Sequence, residues 1–208
     1  ACAPFRRLHV CDKNLENISD YNSTNAKHNL LVDVCMAAQF EGKSISGYYP
    51  KYEVQYPSSG STFTMCTMLA RSFADIGDII RGKDLYSGNS KEKKRDELEK
   101  NLKNIFAKIY EGLSRTSTSE KKSAKDHYKG DAPDYYQLRE DWWYANRKIV
   151  WIAMTCGAGK HDKYFRKTCG TGPDATRTPN QCQCVTHDVP TYFDYVPQYL
   201  RWFEEWAE

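Results

Sequence analysis

Residues 134–156 read DYYQLREDWWYANRKIVWIAMTC. Leu138, Trp142, Ala145, Ile149 and Ile152 recur at steps of four, three, four and three. At 3.6 residues per turn that spacing gathers them into one stripe of an α-helix. Trp143, Trp151 and Met154 widen the apolar surface, so the helix is expected to meet neighbours on two sides. Pro133 and Asp134 supply a start, and Gly157 and Gly159 a stop. Three of the five tryptophans lie here, and the other two, Trp202 and Trp206, close the chain. Large aromatics dominate core burial, so the two segments are expected to pack together.

Working outward, 208 residues with 40% hydrophobic and 13% aromatic content suffice for a real core, while 27% charged residues imply a polar surface. No run of eighteen apolar residues occurs, so no membrane span is expected. The opening Ala-Cys-Ala-Pro carries neither an initiator Met nor a signal peptide, and Glu208 falls inside a helical pattern. The sequence reads as a piece of something longer.

The cysteines are Cys2, Cys11, Cys35, Cys66, Cys156, Cys169, Cys182 and Cys184. An even count this high favours disulfides in an oxidising compartment, with 105 possible pairings. A zinc site drawn from Cys156, Cys169, Cys182 and Cys184 lacks the C-x2-C pair that such sites use.

In chain order, residues 1–29 look irregular and include the sequons Asn17-Ile-Ser19 and Asn22-Ser-Thr24. Leu30, Leu31, Val34, Ala37 and Ala38 predict a short helix over 26–40 ended by Gly42, followed by a loop over 44–61. Met65, Leu69, Phe73, Ile76 and Ile80 predict a helix over 63–80 stopped by Gly82. Leu98, Leu102, Ile105, Ile109 and Leu113 predict a third over 91–112. Residues 114–130 read as a mobile loop, and 157–188 as a long loop that only cross-links could order. Pro197 suits a first helical turn, with Leu200, Phe203 and Ala207 then facing one way. The class is all-α, a helical bundle with long disulfide-linked loops. Its expected parts are a loop-rich 1–61 and a helical 62–208.

Catalytic motifs are missing. Gly157-Ala158-Gly159-Lys160 fails as a phosphate loop, because Met154 and His161 stand where Gly and Ser or Thr are needed. There is no G-x-S-x-G and no H-E-x-x-H. Asp75, Asp78 and Asp84 read as solvated or capping acids, the five histidines are scattered, and no enzyme or cofactor is expected.

Charge is uneven. Residues 81–130 hold fourteen Lys/Arg against eight Asp/Glu, a net of +6, whereas the whole chain is +3. Lys91, Lys93, Lys94 and Arg95 crowd a helix start, where the dipole disfavours them. Lys121, Lys122, Lys125 and Lys129 crowd the loop beyond. These eight form a candidate polyanion-binding patch, with a sulfated glycan favoured over nucleic acid, which an oxidising compartment lacks.

Three stretches then resemble a known family. Cys2-Ala-Pro-Phe-Arg-Arg-Leu-His-Val-Cys11 is similar to the opening C-x-P-x-R-R signature of Duffy-binding-like domains, and ARSFADIGDIIRG over 70–82 is similar to their "ADIGDIIRG" helix. PTYFDYVPQYLRWFEEWAE over 190–208 resembles the alpha subtype within the variant erythrocyte membrane protein of the falciparum malaria parasite. The resemblance implies the first two subdomains of that helical, disulfide-rich fold, without the third. It implies an extracellular adhesion module on the infected red cell surface, part of a larger membrane-anchored protein. The implied partners are a red cell or endothelial receptor or a sulfated glycan, host antibodies, and adjacent domains of the same chain. The alternative is a non-adhesive antigenic module that positions a neighbour. The family pattern also implies that Cys66 pairs with Cys184 or Cys182, and that Arg6 and Arg7 anchor carboxylates of the fold.

Overall fold

A computed structural model describes residues 2–16, 18, 24–55, 64–86, 92–113 and 123–207, and their side chains except at 52–55 and 92–94. The helices are α1 (Phe5–Leu8), α2 (Lys13–Glu16), α3 (Ala26–Gln55), α4 (Met65–Arg81), α5 (Glu92–Glu111), α6 (Ala124–His127), α7 (Tyr136–Thr155) and α8 (Gln198–Ala207). The described chain is all-α, with two isolated β-bridges as its only extended pairing. Among the described residues no helix is long and apolar enough to cross a membrane. Both sequons have residues outside the described set, as do 114–122 of the expected mobile loop. The rest of that loop holds α6, capped by the Ser123 hydroxyl accepting from Asp126 N.

The central element is α4. Thr64 caps its start by accepting from Thr67 N at 3.3 Å, and Gly82, at φ 69°, closes it with its N–H on the Asp78 and Ile79 carbonyls. Every residue of α4 except Met68 is buried. Helices α3 and α7 pack on it, α1 and α8 also touch it, and a 3-10 turn at Phe193–Tyr195 lies against it. Both Trp-bearing segments pack on α4.

The inner face of α7 differs from the expected stripe. Leu138 and Trp142 are buried, but Ala145, Ile149 and Ile152 face solvent; the inward set is completed by Arg139, Trp143, Arg147, Val150, Trp151 and Met154. Two arginines turn inward because each is bonded there. Arg139 Nε donates to Ile80 O at 2.6 Å and its Nη1 pairs with Glu99 at 2.7 Å, while Arg147 pairs with Asp194. Helix α8 is rotated likewise: Gln198, Arg201 and Trp202 are inside, whereas Leu200, Phe203 and Trp206 are exposed.

Helix α3 is also longer than expected, thirty residues running through both Gly42 and Pro50. Gly42 is a crossing point. A Cβ built there would lie 1.9 Å from the Met154 carbonyl oxygen, so only glycine lets α3 and α7 approach this closely. Residues 157–188 are ordered by the Cys66–Cys182 and Cys169–Cys184 disulfides, a Cys169–Thr176 bridge and a Tyr164 N–H to Thr178 Oγ1 bond of 2.7 Å.

Candidate functional site

The acids of α4 are neither solvated nor capping; they are the centre of a buried ion network. Asp75 faces Arg6 at 2.8 Å and Arg201 at 2.7 Å, and accepts from Gln198 Nε2 at 3.1 Å. Asp78 pairs with Arg201 and, at 2.8 Å, with Arg81. Arg6 also reaches Glu205 at 2.8 Å, and Arg7 holds Asp84. Arg6 of the opening signature thus anchors α1 to α4 and α8, and Arg7 anchors it to the segment just after α4. A fully buried carboxylate needs such partners to remain charged.

The two acids titrate in opposite directions. Burial acts to raise Asp75, yet Arg6 and Arg201 outweigh it and hold the carboxyl below the usual range. For Asp78 burial wins over Arg201 and Arg81 and the pKa rises. Asp75 therefore contributes stability that is present above its unfolded value, about 3.9, and is lost as pH falls through the depressed folded value. Asp78 contributes stability that is present in acid and is lost as pH rises through its raised folded value. In urea unfolding between roughly pH 3 and 6, the advantage of wild type over Asp75→Asn is expected to grow with pH. Its advantage over Asp78→Asn is expected to shrink. Parallel slopes for the two variants would refute this assignment.

A cleft of about 1190 Å³ separates the N-terminal segment from α5 and is lined by Arg7, Asp84, Tyr86, Arg95, Leu98 and Leu102 among others. Its main charges are already matched: Arg7 and Arg95 converge on Asp84, and Tyr86 lies under both guanidinium groups, 5.0 and 5.9 Å from its ring centre. Cys11, also on the cleft, is pushed up to about 11 by burial and by Glu41, so its sulfur is a neutral thiol and a poor nucleophile. Among the described residues no group of three His, Cys, Asp or Glu could hold a metal.

Of the eight cysteines expected in disulfides, four are paired, as Cys66–Cys182 and Cys169–Cys184. Cys2, Cys11, Cys35 and Cys156 are free thiols here. Cys156 is occupied by a contact with Gln39 Nε2 at 3.6 Å, and Cys11 has its backbone N–H on Glu41.

The expected polyanion patch is partly dispersed. Lys91, Lys121 and Lys122 lie outside the described residues, and Lys93 and Lys94 are placed only by the backbone of α5. Arg95 turns inward to the carboxylate and carbonyl of Asp84 and does not face solvent as a free charge. Lys125 sits 4.8 Å over the Tyr110 ring, and Lys129 is exposed. A second set of cations was not singled out from the sequence. Lys160, Lys163, Arg166, Lys167 and Arg177 are exposed on the cross-linked segment, and the described residues show no acidic partner for them. A charge count over 157–188 gives these five against Asp162, Asp174 and Asp188, and would have found them. Asp188 is engaged by Lys148 at 3.2 Å.

Residues 1–201 match the Duffy binding domain family. The fold is similar to that of the NTS-DBL1α1 domain of Plasmodium falciparum membrane protein 1 (PfEMP1) from the varO strain. That match has 43% identity and a TM-score of 0.76, over all of this chain and 43% of the other. The NTS-DBL1α–CIDRγ double domain of the same strain matches at 43% identity and a TM-score of 0.77, over 100% of this chain and 28% of that one. A PfEMP1 DBLβ domain solved bound to ICAM-1 is 34% identical with a TM-score of 0.66, over 100% of this chain and 44% of its own. The chain thus spans less than half the length of these relatives. No curated protein matches it significantly.

Proposed function

Because the chain belongs to the Duffy binding domain family, we propose that it is an adhesion module displayed outside the infected red cell, binding a receptor or sulfated glycan on host cells. The observation that carries this reading is its similarity in fold, over its whole length, to a domain solved bound to ICAM-1. Red cell rosetting through sulfated or blood-group sugars is the form the reading takes for an alpha-type domain. Host antibodies and adjacent domains of the same chain are its further partners. Within the module, 1–61, which carries the long helix α3 as the start of the helical part, forms the first subdomain and 62–208 the second.

An electrostatic component is part of this reading. Lys129 and the five cations on the cross-linked segment are exposed and have no acidic partner among the described residues, so they offer positive charge to a polyanion. Arg95 is left out of the test because its charge is already engaged by Asp84. We expect heparin to bind the chain, with an affinity that weakens steeply as salt rises, since exposed charges are screened over about 8 Å at physiological ionic strength. Replacing Lys160, Lys163, Lys167 and Arg177 with Ser is expected to lower heparin affinity roughly tenfold, at about 0.3–0.4 kcal/mol per exposed contact, with an unchanged melting temperature. Unchanged affinity would remove this surface from the account. Silence of the wild-type chain toward red cells and endothelial cells would favour a non-adhesive display module.

A further inference from the structure

Two tyrosine rings, those of Tyr192 and Tyr195, stand on the solvent side of a densely bonded part of the interior, and a third, Tyr144, is exposed on α7. Tyr192 and Tyr195 flank Asp194, whose buried carboxylate accepts from Arg147 Nε and Nη2 at 2.7 Å each and from Trp143 Nε1 at 2.9 Å. Arg147 Nη2 also donates to the Thr191 carbonyl at 2.8 Å, and the Thr191 hydroxyl accepts from Phe193 N at 3.1 Å. The same Arg147 guanidinium lies 5.4 Å from the ring centres of both Tyr192 and Tyr195, and Arg81 lies 5.3 Å from Tyr195. Tyr144 precedes Arg147 and Lys148 by three and four positions on α7, which places it beside them.

Despite this anchoring, the rings remain in water: Tyr144 is 71% exposed, Tyr192 66% and Tyr195 42%. Guanidinium groups hold Tyr192 and Tyr195 from below, so their orientation is set before anything binds. The surrounding charges cancel one another. Glu140 is held by Lys83 and by Arg81, and Lys148 by Asp188. An aromatic centre inside a polar, mutually paired rim is the composition of protein–protein contacts. Tyrosines fixed in advance also lose little conformational freedom on binding. A polyanion would find no unpaired cation here.

We propose that Tyr144, Tyr192 and Tyr195 form a contact surface for a protein on the host cell, one that meets them with an uncharged apolar patch. The proposal rests on the adhesion reading, but it assigns a different surface and a different force from the cationic segment. Binding through it is insensitive to salt.

The test compares the wild-type chain with the Tyr144→Ser, Tyr192→Ser double variant on fixed host red cells and endothelial cells. Cells are untreated, trypsin-treated or heparinase-treated, at salt of about 0.15 and 0.4 M. The expected result is wild-type binding that survives heparinase and the higher salt, disappears after trypsin, and falls roughly tenfold or more in the double variant. Near-UV circular dichroism of the variant should match wild type, since both side chains are largely in solvent. Equal binding by the variant, or wild-type binding abolished by heparinase, overturns the proposal while leaving adhesion intact. No wild-type binding to any cell overturns the adhesion reading itself, and the proposal with it.

Discussion

Asp75→Ala is expected to lower the free energy of unfolding by about 3–5 kcal/mol, the cost of breaking a buried ion pair from one side. Asp75 has no exposed surface and is shared by Arg6, Arg201 and Gln198. Its removal leaves Arg201 with Asp78 as its one carboxylate, beside the Phe193 and Val196 carbonyls, and strips Gln198 of one acceptor. Arg6 keeps Glu205, so the loss falls mainly on α8 and its junction with α4. Removing both sides, as in Asp75→Leu with Arg201→Met, is expected to cost much less, because an apolar pair of similar volume needs no compensation. Urea denaturation of the two variants measures the difference. A loss of under about 1 kcal/mol for Asp75→Ala would mean that water reaches the site.

The disulfides are expected to rank by the length of chain they close. Cys66–Cys182 spans 116 residues, and Cys169–Cys184 spans 15. Closing a loop of about 100 residues is worth roughly 4.7 kcal/mol in the chain-entropy account, against about 3 for 15 residues. The Cys66→Ser, Cys182→Ser variant is therefore expected to be the less stable. Its lesion also reaches the core, since Trp151 Nε1 donates to the Cys182 carbonyl at 3.1 Å. Loss of the short bridge is expected to act locally, speeding amide exchange across 160–180 while α4 and α7 stay protected. Equal melting temperatures for the two variants, or exchange starting in α7 once Cys169–Cys184 is gone, would contradict this order.

What the sequence disclosed and what it hid follow one physical line. Helices whose inner faces are apolar were legible: Leu98, Leu102, Ile105 and Ile109 of α5 are all buried, as are Met65, Leu69, Phe73, Ile76 and Ile80 of α4. Hydrophobic period failed where the interior is ionic. Arg139 and Arg147 count against burial in any apolar stripe, so the inner face of α7 was placed too far toward Ile149 and Ile152. Asp75 and Asp78 misled in the same way, since the partners that hold them inside include Arg6 and Arg201, far away in sequence, and a local pattern cannot show those. Gly42 was misread because a glycine that ends a helix and one that admits a neighbouring backbone look identical in sequence. The resemblance supplied what periodicity could not: Arg6 and Arg7 as anchors of carboxylates, and a bridge from Cys66 into the segment that precedes α8. For the surface, the basic run at 91–95 was visible, but the turning inward of Arg95 depends on Asp84 eleven residues earlier.

One further contact joins the two ends of the described chain. Trp206 Nε1 donates to the Cys2 carbonyl at 2.9 Å, beside the Arg6–Glu205 pair. A pulling force applied through residues 2 and 206 therefore enters and leaves at a single corner of the molecule. The load passes through this small clasp and does not run along α4 and α7. Such a clasp peels open one bond at a time, at low force, before the tension reaches the interior.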